Sequence, residues 1–339
     1  MNSSPTQFSR RQFIQITASA GLFLAGGAGI ASTLAAARQP HKVQQTRLLL
    51  GSLANITVVG VEPERANAAI LAAFERMEAL ESVLSRFQDH SQVSQLNATG
   101  AVGNAHPAFL EVMQRAVDYG QLTGGAFDVT VEPVLRLYRD STHSGQLPDA
   151  TALAETRRLV DYRQIEIADG HIRLGQPGMA VSLDGIAKGY VIDQGAQALR
   201  EHGLDQLMVE LGGDLRTVGQ ANTRPWRIGI TQADSTRDTS LVAHLTSGAL
   251  ATSGDYLNTY ASDRRLHHII DPARGISPLE LASASVIAPT TCAADALSTA
   301  LLVMGSPGLT LIEQLPDTEA LVIAKNGDLT RTAQFPVTV

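Results

Sequence analysis

Residues 48–84 read LLLGSLANITVVGVEPERANAAILAAFERMEALESVL, and they contain both kinds of regular structure that decide the fold class. Residues 48–59 are apolar with β-branched positions, which predicts a strand with a bend or bulge at Gly51 and Ser52. Residues 63–84 carry apolar side chains at helical spacing and few breakers, which predicts an amphipathic helix. Its apolar face comprises Ala66, Ala69, Ile70, Ala73, Phe74, Met77, Leu80 and Leu84.

The rest of the chain mixes helical and extended patterns without a regular β-α-β alternation. Helices are predicted over residues 107–123, from residue 150, and over 190–202, 293–304 and 309–314. Strands are predicted over residues 164–167, 171–174, 180–183, 207–211, 226–231, 240–245, 249–253, 267–270, 283–288, 320–324 and 329–332. Residues 85–97 are predicted as a polar loop, 126–131 as extended and most of 135–159 as irregular. This order predicts an α+β architecture.

The first forty residues have the pattern of an export signal. SRRQFI at 9–14 contains an arginine pair, and the uncharged stretch 16–37 ends in three alanines that suit signal peptidase. We therefore predict a twin-arginine signal peptide over residues 1–37, which places the protein in the periplasm or at the outer face of the cytoplasmic membrane. A membrane anchor is the alternative, although several glycines make the stretch only mildly hydrophobic.

Composition narrows the classes of partner. The formal charge is -7 and no basic cluster is present, which argues against nucleic acid and anionic lipid as partners. Cys292 is the only cysteine, so an internal disulfide is excluded. Aromatic residues make up 4% of the chain, which disfavours a platform of many stacked rings, although one or two rings suffice for a flavin or an adenine.

Three segments combine glycine and aspartate: SLDGIAKGY at 182–190, LGGD at 211–214 and SGD at 253–255. Glycine lets backbone approach phosphates closely, and Lys188 is the only basic residue within these segments. Neither a P-loop nor a Rossmann fingerprint accompanies them. Each segment is equally consistent with a turn at the end of a strand. The position of Lys188 is equally consistent with a turn that faces solvent.

Asp295, Thr299 and His268 are candidates for direct chemistry. Asp295 and Thr299 are four residues apart in a predicted helix, so their oxygens share one face and could serve a hard cation, although an acidic residue near a helix start is also common. His268 is a candidate general base, and His267 would face the opposite side of an extended segment. A Ser-His-Asp hydrolase is a competing hypothesis, but no Gly-x-Ser-x-Gly elbow supports it.

Together and in this order, these motifs resemble the ApbE family of FAD:protein FMN transferases over residues 46–335. The matching residues are LSRF at 84–87 with Ser91, LN at 96–97, GAFDVT at 125–130 with Pro133, DGIAKGY at 184–190 with Asp193, GGD at 212–214, PW at 225–226, TSGD at 252–255, HIIDP at 268–272 with Gly275, and Asp295 with Thr299 and Gly305. The resemblance implies an α+β fold related to the T-fold, with FAD in a cleft between two lobes.

The resemblance also implies the site residues. Mg²⁺ would be held by the side chains of Asp295 and Thr299 and by the backbone carbonyl of Ala187, and His268 would take a proton from the acceptor hydroxyl. Contacts with FAD are implied for Leu50, Phe87, Ala126, Phe127, Asp128, Asp184, Lys188, Ser253, Asp255, Ile269 and Ile270. The family often has Met at the position of Leu50, where it packs on the cofactor.

The implied reaction transfers the FMN moiety of FAD to a Ser or Thr hydroxyl of an acceptor protein through a phosphoester and releases AMP. The acceptor, which can be membrane-associated, would carry the pattern Asp-x-x-Ser/Thr-Gly/Ser-Ala-Thr/Ser. DALSTAL at 295–301 departs from this pattern at Thr299 and Leu301, so we interpret it as a metal site and not as a self-modification target. Two alternatives stay open: a Mg²⁺-dependent FAD pyrophosphatase giving FMN and AMP, and a flavin-binding or delivery protein that makes no bond.

Overall fold

The computed structural model describes residues 41–143, 147–230, 241–256, 259–260 and 265–338. The predicted signal peptide at 1–37 lies outside the described residues, and the predicted domain boundaries at 46 and 335 stay a prediction. Among the described residues, no helix combines the length and the apolar character needed to span a membrane.

The described part of the chain contains strands and helices in mixed order. The strands are β1 (Lys42–Leu49), β2 (Ser52–Val59), β3 (Ala101–Val102), β4 (Ile165–Ala168), β5 (His171–Leu174), β6 (Leu207–Leu211), β7 (Asp214–Val218), β8 (Trp226–Ile230), β9 (Leu241–Leu245), β10 (Gly248–Gly254), β11 (Leu281–Ala288), β12 (Glu319–Ala324), β13 (Leu329–Arg331) and β14 (Val337–Thr338). The helices are α1 (Pro63–Leu84), α2 (Gln92–Thr99), α3 (Pro107–Leu122), α4 (Glu132–His143), α5 (Ala150–Arg157), α6 (Ala187–Glu201), α7 (Thr291–Met304) and α8 (Leu309–Ile312).

An eight-stranded sheet in the order β1-β2-β6-β7-β10-β11-β12-β13 organises the fold. Every neighbouring pair in it is antiparallel. Two three-stranded sheets, β14-β9-β8 and β3-β5-β4, complete the described strands. The α+β prediction is confirmed, since helices pack on an antiparallel sheet and all strand pairs in the described part of the chain are antiparallel.

The central sheet is covered on both faces, which follows from side-chain alternation along its strands. In β10, Ala249 and Ala251 pack with Leu297 and Leu301 of α7. Leu250, between them, belongs to the core on the opposite face, together with Trp226 and other residues of the small β8-β9 sheet. Helix α1 packs against α6, and α6 packs against α7. The three helices therefore lie as one layer that supports the residues described below.

Helices α6 and α7 approach so closely at Gly189 that no side chain fits. A Cβ atom there would lie 2.4 Å from the backbone oxygen of Thr291. We expect Gly189→Ala to lower the free energy of unfolding by about 2 kcal/mol or more, because overpacking against backbone outweighs the helix propensity of alanine. Gly229→Ala in β8 is the control, since nothing lies within 4 Å of its Cβ position. Urea denaturation of both variants is the measurement, and equal stabilities would contradict the close approach.

Several sequence predictions are confirmed. Helix α1 has the predicted bounds and buries the same eight apolar positions. The hairpin of β4 and β5, the strands β6, β8, β10 and β11, the helices α3 and α7, and the β12-β13 hairpin lie where the local patterns predicted them, within a few residues.

Other predictions are wrong, and each has a local cause. Residues 48–59 form two strands and not one, because Leu50 and Gly51 have φ angles of 47° and 72° and reverse the chain in a tight turn. The predicted loop 85–97 contains the start of α2, whose cap is the Ser91 hydroxyl accepting from the backbone N–H of Ser94. Residues 129–131 form a 3₁₀ turn that continues into α4, so the extended prediction for 126–131 fails.

Two predicted strands are absent because side chains take the place of strand partners. The backbone N–H and C=O of Val181 both bond to the side-chain amide of Asn97, at 2.7 and 2.9 Å. The N–H and C=O of His267 both bond to the hydroxyl of Ser277, at 2.9 and 2.8 Å. Strand β7 was not predicted at all, since the Gly212-Gly213 turn before it suggested only a strand end.

Candidate functional site

A cleft of about 650 Å³ lies where the β1-β2 turn, the C-terminal end of α1, the start of α6 and helix α7 meet. Its volume falls within the roughly 300–1,000 Å³ typical of small-molecule sites. All but one of the site residues suggested by the sequence line this cleft. They are Leu50, Phe87, Ala126, Phe127, Asp128, Asp184, Ala187, Lys188, Ser253, His268, Ile269, Ile270, Asp295 and Thr299. Segments up to 249 residues apart in the chain, from Leu50 to Thr299, thus come together in one place.

Asp255 is the exception. Its side chain is buried and forms an ion pair with Lys325, with 3.3 Å between the Asp255 carboxylate and the Lys325 ammonium. The backbone N–H of Asp255 donates to the carbonyl of Ala282 in β11. The structure therefore places Asp255 inside the protein beside β12 and not among the residues that line the cleft.

A cluster of buried charges lies at the start of α6. The Lys188 ammonium pairs with the Asp214 carboxylate, whose second oxygen accepts from the backbone N–H of Thr252 at 3.1 Å. Burial opposes the charge on Lys188, but the carboxylates of Asp214 and Asp295 outweigh this and raise the pKa of Lys188. Lys188 is therefore a fixed cation in the wall of the cleft, close to the N-terminus of α6, an arrangement suited to phosphate.

Asp295, whose charge acts on Lys188, is 4% exposed. One of its carboxylate oxygens accepts from the backbone N–H of Gly189 at 3.0 Å. Burial, with the added repulsion of Asp214 and against the attraction of Lys188, raises the pKa of Asp295 to about 7. Within the described residues no hydrogen bond engages the other oxygen, Oδ1. A cation at Oδ1 would stabilise the ionised form of this carboxylate.

Thr299 lies one helical turn after Asp295 on α7, as its spacing predicted. Its hydroxyl is 3.1 Å from that of Ser253, which in turn is 3.0 Å from the hydroxyl of Ser298. Gly185 leaves the hydroxyl of Thr299 open, because a Cβ at residue 185 would lie 2.9 Å from it. No group of three His, Cys, Asp or Glu side chains in the described ranges could hold a metal ion. The donors here are thus a carboxylate and a hydroxyl, oxygen groups of the kind that Mg²⁺ prefers.

One edge of the cleft is formed by Arg86 and Phe87. The Arg86 guanidinium makes a two-pronged ion pair with Asp184, with bonds of 2.9 and 2.8 Å to one carboxylate oxygen. The same guanidinium lies 4.1 Å from the centre of the Phe87 ring, which is 71% exposed. The Asp184 carboxylate is therefore engaged by Arg86, and Phe87 presents a flat apolar face at the mouth of the cleft.

Asp128 lines the cleft and also stabilises the local backbone through hydrogen bonds. Its carboxylate accepts from the backbone N–H of Thr130 at 2.8 Å, from the Thr130 hydroxyl at 2.6 Å and from the backbone N–H of Tyr162 at 3.0 Å. Burial raises the pKa of Asp128, although these hydrogen bonds act in the opposite direction. The Asp128 side chain thereby stabilises the backbone conformation of residues 126–128, which line the cleft.

His268 is the histidine that lines the cleft, whereas His267 is completely buried. The two rings are 6.4 Å apart, and His267 Nε2 lies 3.2 Å from the carbonyl oxygen of Pro278. Burial lowers the pKa of His267. Asp271, in the same HIIDP motif, accepts from the backbone N–H of Ala273 at 2.9 Å and so stabilises its own turn. Of the two histidines, only His268 lines the cleft.

Arg86, Arg139 and Tyr260 also line the cleft and were not among the predicted contacts. Arg86 lies inside the LSRF motif, so the motif could have indicated it. Arg139 lies on α4, in a stretch interpreted as irregular, and Tyr260 lies next to residues that the structure does not describe. No local pattern distinguishes these two from ordinary surface residues.

Residues 50–322 match the family model described as the ApbE family. A protein of Treponema pallidum named FAD:protein FMN transferase is 30% identical over 309 residues, covering 84% of each chain. A protein of the same name from Salmonella typhimurium is 27% identical over 303 residues, covering 85% of each chain.

Solved structures are similar in fold over most of the chain. The ApbE protein of Thermotoga maritima has a TM-score of 0.77 and 28% identity, covering 86% of this chain and 97% of its own. The flavinyl transferase ApbE of Pseudomonas stutzeri, in its apo form, has a TM-score of 0.76 and 26% identity, covering 89% of this chain and 99% of its own.

Proposed function

This chain belongs to the ApbE family, and on that premise we propose that it transfers the FMN moiety of FAD to a Ser or Thr hydroxyl of an acceptor protein and releases AMP. Relatives named FAD:protein FMN transferase support the class of reaction. The single observation that carries the proposal is the cleft that unites His268 with Lys188, Asp295 and Thr299. A base, a fixed cation and oxygen donors for a metal ion are the groups that phosphoryl transfer requires.

Residues of the start of α6 and of α7 would bind the pyrophosphate. The Lys188 ammonium, held by Asp214, meets phosphate oxygens, and Asp295, Thr299 and the Ala187 carbonyl would hold Mg²⁺. When bound, Mg²⁺ neutralises charge on the phosphate oxygens. Because Lys188 and Asp295 are held by hydrogen bonds to β7 and α6, little reorganisation is needed during the reaction.

His268 would accept the proton of the acceptor hydroxyl as its oxygen bonds to the phosphorus of the FMN moiety. The bond from that phosphorus to the bridging oxygen breaks, and AMP leaves with the bridging oxygen. The apolar side chains of Phe87, Phe127, Ile269 and Ile270 offer surfaces for the ring systems of FAD. Positioning and fixed charge thus supply most of the catalysis.

The test incubates the mature chain with FAD, Mg²⁺ and a peptide carrying Asp-x-x-Ser/Thr-Gly/Ser-Ala-Thr/Ser, followed by mass spectrometry and AMP quantification. A peptide with the central Ser or Thr changed to Ala is the control. We expect the first peptide alone to gain the mass of an FMN group, with one AMP released per modified peptide. AMP release without modified peptide would identify a pyrophosphatase, and FAD binding without AMP would identify a carrier.

We also propose that the protein is exported through the twin-arginine route and acts outside the cytoplasm, where the acceptor can be membrane-associated. Changing Arg10 and Arg11 together to Lys is expected to reduce export by about tenfold or more, because the export receptor recognises this signal and not charge alone. Arg38→Lys, just past the predicted cleavage site, is the matched control. Immunoblots of periplasmic and cytoplasmic fractions measure export, and normal delivery of the double Lys variant would contradict the signal assignment.

A further inference from the structure

The turn between β1 and β2 has an unusual residue in a strained conformation. Leu50 and Gly51 both have positive φ angles, 47° and 72°. A two-residue turn of this kind favours Asn, Asp or Gly at both central positions, because a bulky side chain is strained in the left-handed region. Gly51 meets this requirement, but Leu50 does not. Retention of strain at a cleft is a reason to look for a functional role.

The Leu50 side chain lines the cleft and also packs against the hydrophobic core. A glycine at this position would remove the strain, but it would also remove the apolar surface that residue 50 contributes to the cleft. Adjacent Gly51 has nothing within 4 Å of its Cβ position. The strained conformation of Leu50 thus accompanies the placement of its apolar side chain at the cleft.

Glu81, in the last turn of α1, holds this conformation. Its carboxylate oxygen Oε1 accepts a hydrogen bond of 2.8 Å from the backbone N–H of Leu50, and the contact is partly buried. The backbone carbonyl of the same Glu81 accepts from the N–H of Ser85, immediately before Arg86 and Phe87. One residue of α1 is thus bonded to both the turn with Leu50 and the chain that leads to Phe87. These two segments form one edge of the cleft.

We propose that Glu81 is a positioning residue for flavin nucleotide binding, which fixes Leu50 in its left-handed conformation so that the Leu50 side chain packs on the bound ligand. This inference rests on the proposed function in taking FAD as the ligand. Glu81 does not line the cleft itself and acts through the backbone of Leu50. A charged acceptor makes a stronger hydrogen bond than a neutral one, which suits a contact that must offset backbone strain.

A double-mutant cycle tests the coupling, with FAD affinity of the full mature chain measured by isothermal titration calorimetry. We expect Glu81→Ala and Leu50→Ala each to weaken FAD binding by about tenfold, and the double variant by about tenfold as well. The effects do not add because Leu50 is already displaced once Glu81 is lost. Glu78→Ala is the matched control, since Glu78 lies one turn earlier on α1 and binds Arg47 of β1 at 2.7 Å without touching the turn. The Glu81→Gln variant keeps an oxygen acceptor for the Leu50 N–H, so it should retain most of the wild-type affinity for FAD that Glu81→Ala loses.

The Leu50→Gly variant tests whether weaker FAD binding comes from the missing Leu50 side chain or from a change in the fold of the turn. Glycine adopts the left-handed conformation freely, so this variant should keep the shape of the turn without the Leu50 side chain and still bind FAD about tenfold more weakly. The proposal would be overturned if the losses of FAD affinity in the cycle were additive, or if the Leu50→Gly variant bound FAD as tightly as wild type. In either case, FAD binding by the wild-type protein would leave the proposed function intact. A wild-type protein that binds no FAD would overturn both.

Discussion

Asp295→Ala is expected to reduce Mg²⁺-dependent FMN transfer by at least about 1,000-fold, because the variant loses the only carboxylate among the proposed metal ligands. Mg²⁺ requires near-ideal octahedral geometry and depends on few protein oxygens, so the hydroxyl of Thr299 and a backbone carbonyl cannot replace a charged ligand. Asp295 is buried, and its Oδ1, which accepts no hydrogen bond among the described residues, is the oxygen expected to bind Mg²⁺. Transfer to the acceptor peptide is measured over a range of Mg²⁺ concentrations.

Asp295→Asn is the companion variant because it preserves shape. The amide oxygen can still accept from the backbone N–H of Gly189, so the contact between α6 and α7 is retained while the charge is lost. We expect the Asn variant to remain folded and to be nearly as inactive as the Ala variant. Wild-type activity of either variant at limiting Mg²⁺ would remove Asp295 from the metal site.

His268→Ala is expected to slow FMN transfer by about 100-fold or more while FAD binding changes little, which is the usual scale for loss of a positioned general base. The reason is that His268 lines the cleft, whereas the neighbouring His267 is buried against the carbonyl of Pro278. Single-turnover transfer to the peptide and FAD titration are measured on the same preparation.

His202→Ala is the matched control for this prediction, since His202 is an exposed histidine after the last turn of α6, outside the cleft. The result also separates a transferase from a flavin carrier, because a carrier has no bond-forming step that a base could assist. A His268→Ala protein that modified the peptide at the wild-type rate would exclude His268 as the base.

Where structure depends on neighbours along the chain, the sequence was sufficient. The apolar side chains from Ala66 to Leu84 repeat with the helical period, and the same positions are buried in α1. Asp295 and Thr299 share a face of α7 for the same reason. The motifs between Leu84 and Gly305, taken in order, also indicated the family, which the comparisons confirm.

Where structure depends on contacts between distant segments, local patterns were misleading. Residues 180–183 and 267–270 have the composition of strands, yet side chains of Asn97 and Ser277 satisfy the backbone of Val181 and His267. Asp255 shares the SGD motif with Ser253, but its side chain pairs with Lys325, and only Ser253 of the two lines the cleft. A motif indicates that residues belong to a site region and does not indicate which way each side chain faces.

The sequence by itself determined the helix periodicity and the mixed α+β class, because these follow from residue type and spacing. Its ordered motifs indicated the family, and through that resemblance they pointed to residues that line the cleft. Only the tertiary structure decided that Arg86 binds Asp184, that Lys188 binds Asp214, and that Glu81 holds the strained turn at Leu50. These pairs are separated by 98, 26 and 31 residues along the chain. Helix packing and strand register bring them together, and both depend on how the whole core is filled.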